Sequence, residues 1–244
     1  MIYVLIGMSV LFVAIGFVVT ENNAKYLLSG YNTLPEADRK KVDIKAYIAY
    51  FRKFHIFLGL SFLVLGALLY YFISRNWAGV FLVVYPVLAY IGFVATSAKY
   101  SKGLSTKWNQ VGILILIGTL VFVTVLLGYG FKENTLTFDS QSIEFKGMYG
   151  ETLSASQIAS IELVNQIPRI TLKTNGFALG SINKGYFKTE DGEIIKLILN
   201  SDNKPYILFT KADGERIYYS AKSEPNQKIL DKIKQAFPGV VVWQ

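Results

Sequence analysis

Four long runs without a charged residue occupy the first half of the chain, at 2–20, 55–73, 78–96 and 111–130. Each approaches the roughly 20 helical residues that carry a chain across about 30 Å of hydrocarbon. An unpaired peptide group costs several kcal/mol in lipid, so runs of this length are expected to be helical despite their Val, Ile and Gly content. Beyond residue 131 the pattern changes to short apolar and polar alternations broken by turn residues, which is how a half-buried antiparallel sheet is written. It predicts strands near 136–146, 158–164, 169–173, 186–188, 194–200, 206–211 and 216–220. Asp191-Gly192 and Asp213-Gly214 lie between apolar runs and predict hairpin turns. A closing helix follows, with Ser223 as its cap, Pro225 in its first turn and Ile229, Leu230, Ile233 and Phe237 on one face. The expected fold is an all-α four-helix transmembrane region, residues 1–131, followed by a soluble seven-stranded β domain with a C-terminal helix, residues 132–244.

Aromatic residues Tyr3, Tyr70, Tyr71, Trp77, Trp108 and Tyr129 stand at the ends of the apolar runs, where an amphipathic ring suits the head-group zone. The first run has no Lys or Arg before it and no small-residue cleavage site after it, so it reads as a retained span. Charge is divided unevenly. Residues 1–130 carry 11 Lys+Arg against 4 Asp+Glu, whereas residues 131–244 carry 14 against 13. The basic excess therefore belongs to the membrane half, and no basic stripe on the soluble half points to nucleic acid. Lys25, Arg39, Lys40, Lys41, Lys45, Arg52 and Lys53 lie between runs one and two, and Lys99, Lys102 and Lys107 between runs three and four; Arg75 alone lies in the middle connection. By the positive-inside rule both basic connections are cytoplasmic, which puts the N-terminus and the whole C-terminal domain outside.

The first connection has its own pattern. Ile44, Tyr47, Ile48 and Phe51 recur at helical spacing in 43–54, predicting an interfacial helix that leads into the second run, its cations Lys45, Arg52 and Lys53 either attracted to anionic lipid at the membrane surface or simply fixing topology. Upstream, Thr33 followed three residues later by Glu36 predicts a capped helix start. The stretch Leu27-Leu28-Ser29-Gly30-Tyr31-Asn32-Thr33-Leu34, with the basic run and Asp43 after it, resembles an uncharacterised family of small bacterial multi-pass membrane proteins. The resemblance covers about residues 1–100. It implies a bacterial plasma membrane and brings no activity with it.

In the second half, Tyr149-Gly150, Pro168, Lys173-Thr174-Asn175-Gly176, Gly185-Tyr186-Phe187 and the Asp213-Gly214 turn resemble the bacterial PH-like (pleckstrin-homology-like) domain family over about residues 132–237. The resemblance implies a β-barrel plugged by the last helix, with no fixed ligand and no catalytic activity. Thr174, Asn175, Gly176, Gly185 and Phe187 are the candidate binding residues, although Asn-Gly also reads as a turn needing left-handed geometry. A phosphoinositide head group needs several converging cations, and 139–146 offers one lysine, Lys146, beside Asp139 and Glu144.

The chain has no cysteine and one histidine, His55, at the edge of the second run. Thiolate chemistry, histidine-rich metal sites and Ser-His triads are thereby excluded from the soluble half, and no phosphate-cradling glycine loop occurs. Glu190, Asp191 and Glu193 flank a glycine turn and read as solvated loop charges. No acid or base interrupts a span, so a transporter's midplane site is not expected either. His55 reads as an interfacial residue rather than a proton relay. Ser9, Gly59, Gly66, Gly112 and Gly118 are small residues that let helices approach closely, without forming a GxxxG pair within a span. The expectation is a non-enzymatic membrane protein without cofactor or metal, anchored in the bilayer and presenting a domain that binds a protein partner. The alternative is an accessory subunit of a transporter or lipid-handling complex.

Overall fold

A computed structural model describes residues 1–28, 30–101 and 107–237, together with the backbone of 242–243. Ser29 and Lys102, both used in the sequence reading, lie outside the described residues. The chain divides into two compact units, Met1–Val125 and Leu126–Gln244.

The first unit is helical. Helix α1 covers Ile2–Val18, short helices α2 and α3 cover Ala24–Leu27 and Glu36–Arg39, and α4 covers Ile44–Leu68 before a π-helical turn at Leu69–Ile73. Helix α5 covers Arg75–Ser97 and α6 starts at Lys107, ending at Phe131 in the second unit. Three helical segments, Ile44–Ile73, Arg75–Tyr100 and Lys107–Phe131, are long and apolar enough to cross a membrane, and Ile2–Val18 is a shorter apolar helix. The interfacial helix expected at 43–54 is the first part of α4: nothing breaks the backbone ladder between Phe54 and His55, so one 30-residue segment runs from Ile44 to Ile73. Asp43 caps α4, its carboxylate accepting from Ala46 N–H at 3.0 Å. Thr33 caps nothing. Helix α3 begins after Pro35, so the Thr33 hydroxyl is placed too early and donates instead to Gly30 O at 3.3 Å.

Helices α1 and α4 pack through small residues spaced seven apart, Ser9 and Gly16 on one and Gly59 and Gly66 on the other. The Ser9 hydroxyl donates to the Gly59 carbonyl at 2.7 Å, a contact that only a missing side chain at 59 permits. Three polar pairs join α4 to α5: the Tyr50 and Thr96 hydroxyls, His55 Nε2 with the Tyr90 hydroxyl at 3.0 Å, and the Ser61 and Tyr85 hydroxyls at 2.7 Å. His55 is only 1% exposed, so the residue expected at the edge of a span is also packed between helices. The sequence puts it at the border of an apolar run, but a continuous α4 carries it into the packed seam. The connections on either side also meet, because Val42 bridges Ser101 and Asp43 N–H donates to Tyr100 O at 3.0 Å. Both basic connections therefore lie at one end of the bundle, as a membrane topology requires. Apart from Gly130, no residue of α6 is buried.

In the second unit β1 (Thr135–Phe138), β2 (Ser142–Lys146) and β3 (Thr152–Ser154) form an antiparallel sheet. Strands β4 (Ile158–Val164), β5 (Ile170–Leu179), β6 (Ile182–Thr189), β7 (Ile194–Leu199), β8 (Tyr206–Lys211), β9 (Arg216–Ser220) and β10 (Val242–Trp243) form a second sheet in the order β10-β4-β8-β9-β7-β6-β5. Helix α7 covers Asn226–Ala236. A core of Ile143, Phe145, Ile161, Phe209, Tyr219 and the α7 residues Ile229, Leu230 and Ile233 fills one face of the large sheet, and Phe187, Leu197, Leu208 and Tyr218 pack on the other.

The expected seven-stranded barrel is corrected in two ways. Among the described residues the sheet is not closed, since β9 lies between β7 and β8 and pairs with β7 in parallel, and β1–β3 form a separate sheet. The predicted strand at 136–146 is a hairpin, because the Asp139 carboxylate accepts from Gln141 and Ser142 N–H at 2.8 Å each and turns the chain. These backbone hydrogen bonds hold the Asp139 carboxyl below its ordinary range. Both Asp-Gly turns are formed, with Gly192 at φ +91° and Gly214 at φ +90°. Ser223 does not cap α7: the helix begins after Pro225, and the Ser223 N–H and hydroxyl donate to Glu133 Oε1.

Candidate functional site

The binding residues picked out by sequence do not form a loop. Thr174, Asn175 and Gly176 lie inside β5, opposite β6, with Asn175 across from Tyr186 and Gly176 across from Gly185. Two glycines facing each other let the backbones approach too closely for any Cβ, and Gly185 sits at φ +118°. That pairing, rather than a turn, is what the glycines serve. Register shifts flank Leu172 and the gap between Lys173 and Asn175, and threonine hydroxyls bond there to the opposite strand: Thr171 donates to Lys188 O at 3.1 Å and Thr174 to Tyr186 O at 2.9 Å. Phe187 is buried in the second core cluster, so its role is packing. Asn175 and Thr174 remain exposed.

The structure does gather several of these residues at one place. Tyr149 holds a left-handed backbone, φ +59°, after Gly147 in the β2–β3 turn. Its hydroxyl donates to Asn175 Oδ1 at 2.8 Å and its ring meets Tyr186 edge-on at 6.2 Å. The Lys196 ammonium lies over the Tyr186 ring, 5.4 Å from its centre, and donates to Glu151 Oε1 at 2.5 Å. Glu151 Oε2 accepts from Lys211 at 2.7 Å, and Lys211 also reaches Glu215 at 2.5 Å. Burial pushes the Glu151 carboxyl up, but hydrogen bonds and charge from Lys196 and Lys211 outweigh it and hold the group below the usual carboxylate range. Its charged neighbours are thus fully committed to one another. Sequence reasoning missed this cluster, since Glu151, Lys196 and Lys211 are far apart in the chain and only the pairing of strands joins them. Glu190, Asp191 and Glu193 point to separate partners: Arg169 at 3.2 Å, Thr189, and Arg216 respectively.

A second buried polar group fixes the segment that follows α6. Lys184, 0% exposed, donates to the Lys132 carbonyl at 2.5 Å. The Asn134 N–H donates to Asn200 Oδ1 at 2.7 Å, while Asn134 O accepts from Asn200 Nδ2 at 2.9 Å and from the Tyr219 hydroxyl at 3.1 Å. Desolvation brings the Lys184 pKa down from 10.5 to about 8, against the opposing pull of Glu133. Burial also raises the Tyr219 phenol, with Glu133 adding to the shift. The sign of the lysine shift makes a testable statement. Below about pH 8 the ammonium is charged folded and unfolded, whereas between about 8 and 10.5 only the unfolded chain keeps the proton. Unfolding then takes up a proton, so stability contributed by this group rises with pH across that window. Thermal melts of the full chain in detergent from pH 7 to 10.5 should show this rise in the native protein and a flatter profile in Lys184→Met.

In the membrane half, Lys45 and Lys53 are exposed, whereas Arg52 is half-buried with its guanidinium over the Phe17 ring, 5.0 Å from the centre. Among the described residues no group of three or more His, Asp or Glu could hold a metal ion.

Residues 6–101 match the model of a family described as a domain of unknown function, DUF3784. No curated protein and no solved structure matches the chain. The family match takes in the stretch around Leu27–Leu34 and leaves the β unit outside it, and no comparison supports the expected PH-like family for that unit.

Proposed function

We propose that this chain is a non-enzymatic bacterial plasma-membrane protein that spans the bilayer four times and displays a PH-like interaction domain on the outer face, where it binds a protein partner. The observation that carries this reading is the contrast between the two units. In the helical unit large apolar side chains such as Phe57, Phe72, Leu114 and Phe122 are at least 63% exposed, which calls for lipid around them. In the β unit most such side chains are inside, Leu172 and Ile194 excepted, and the charges of the Glu151–Lys196–Lys211–Glu215 cluster neutralise each other. Helix α1, 17 residues and about 26 Å long, matches a hydrocarbon core once Val19 and Thr20 are added. The half-buried Tyr149, bonded to the exposed Asn175, gives the β unit a recognition surface.

The test is protease access to the full chain. Trypsin added to intact cells should cleave the β unit while the basic connections at 21–43 resist until the membrane is opened. Cleavage only after opening would reverse the orientation. The unburied length of α6 favours a second reading, an accessory subunit whose partner helices cover it. Recovery of a stable multisubunit complex in mild detergent would decide for that reading, and a single-chain particle would decide against it.

A further inference from the structure

Two arginines of the helical unit, Arg39 and Arg52, carry a buried Nε without a hydrogen-bond partner among the described residues; Arg39 donates through its terminal nitrogen to Asn32 O, and Arg52 stands beside an apolar run. Gly16 brings α1 against α4 so closely that a Cβ there would stand 3.0 Å from His55 Cβ and 3.3 Å from Arg52 O. With no room between the helices, the Arg52 side chain leaves sideways along α1 and stacks on Phe17. Its Nε is buried and has no hydrogen-bond partner among the described residues. A guanidinium N–H removed from water without an acceptor costs about 1–3 kcal/mol or more, so such a group marks a place where an acceptor belongs. Of the four acids in the helical unit, Asp38 pairs with Lys41, Glu36 with Lys40 and Asp43 caps α4, while Glu21, exposed beyond the end of α1, makes no ion pair with Arg52. Lys45 lies seven residues earlier on the same side of α4, exposed, and Lys53 follows directly. Arg52 also stands three residues before the apolar stretch 55–73, which is head-group depth for a helix entering a bilayer.

We propose that Arg52, held on Phe17 with Lys53 next in the chain and Lys45 two turns away on the same side of α4, binds the phosphate of an anionic lipid head group at the junction of α1 and α4. The planar fork of a guanidinium matches two phosphate oxygens, and the adjacent ammonium groups add attraction to the anionic surface. Stacking on an aromatic ring pre-orients the fork. This assignment rests on the membrane reading above.

The full chain, purified in zwitterionic detergent, is titrated separately with short-chain phosphatidylglycerol, short-chain phosphatidylcholine and inorganic phosphate, with bound lipid counted by native mass spectrometry. The native protein should retain phosphatidylglycerol over phosphatidylcholine. Arg52→Gln should weaken that binding by about tenfold or more, the scale of one lost charge-assisted hydrogen bond, while Lys40→Gln, a solvated cation outside the site, changes it by less than about threefold. Arg52→Lys keeps charge and stem but loses the fork; it should fall between them, and it carries the test alone if Arg52→Gln does not fold. Equal binding by the native protein and both Arg52 variants would overturn the proposal. So would inorganic phosphate competing as well as phosphatidylglycerol, which would assign the site to a free anion. Failure of the membrane reading has a separate signature, the chain staying in the supernatant after detergent-free centrifugation whatever the lipid.

Discussion

Glu151→Ala is expected to destabilise the β unit by about 3–5 kcal/mol, the usual cost of removing one partner from a buried ion pair. Lys196 is 3% exposed and reaches too little water to replace the carboxylate it loses, whereas Lys211, 13% exposed, keeps Glu215 at 2.5 Å. Hydrogen exchange on the full chain in detergent reads this directly, because amides of β7 and β8 should lose protection while those of α4 and α5 keep theirs. Glu151→Ala combined with Lys196→Met should recover part of the loss, since an apolar side chain then replaces an unpaired charge. A double variant no better than the single one would mean that Lys196 is not the stranded partner. The pH dependence follows from the lowered carboxyl. Its contribution is complete above the ordinary value of 4.5 and is lost as pH falls through the depressed folded value. Glu151→Ala should therefore narrow the stability difference between native and variant at acidic pH.

Gly59→Leu should separate α1 from α4. A Cβ at 59 would lie 2.6 Å from Val13 Cγ2 and 2.7 Å from Ser9 O, and the second of these is backbone that cannot swing aside. Overpacking of this kind costs about 1–3 kcal/mol, and the Ser9 to Gly59 hydrogen bond goes with it. Gly118→Leu is the matching control, since nothing lies within 4 Å of a Cβ there. Melting of the full chain in detergent should fall for the first variant and hold for the second. Equal melting of the two would remove the close α1–α4 crossing from the account.

Sequence periodicity located the helices well because lipid leaves the backbone no alternative to internal hydrogen bonding. It also ran the 43–54 helix into 55–73, since a change of side-chain polarity leaves no mark on the backbone ladder. It could not rank the small residues. Gly59 and Gly118 look alike in the chain, but Gly59 lies against α1 and Gly118 faces open space.

In the β unit the strands β4, β7, β8 and β9 and both Asp-Gly hairpins were legible, because side-chain alternation and turn chemistry are local. The Thr174-Asn175-Gly176 stretch misled for an instructive reason. Asn-Gly is a turn signal unless a glycine on the next strand, here Gly185, comes opposite, and that pairing is a long-range fact.

What the amino-acid order determined alone was the division into an apolar helical half and a sheet-rich half and the local conformation of most segments, because those depend on neighbours a few residues away. Which cations are buried, which carboxylate joins them and which helix faces touch were settled only by the tertiary fold. Lys184, Lys196 and Arg52 read as ordinary surface charges until strand pairing and the α1–α4 crossing close around them and take their water away.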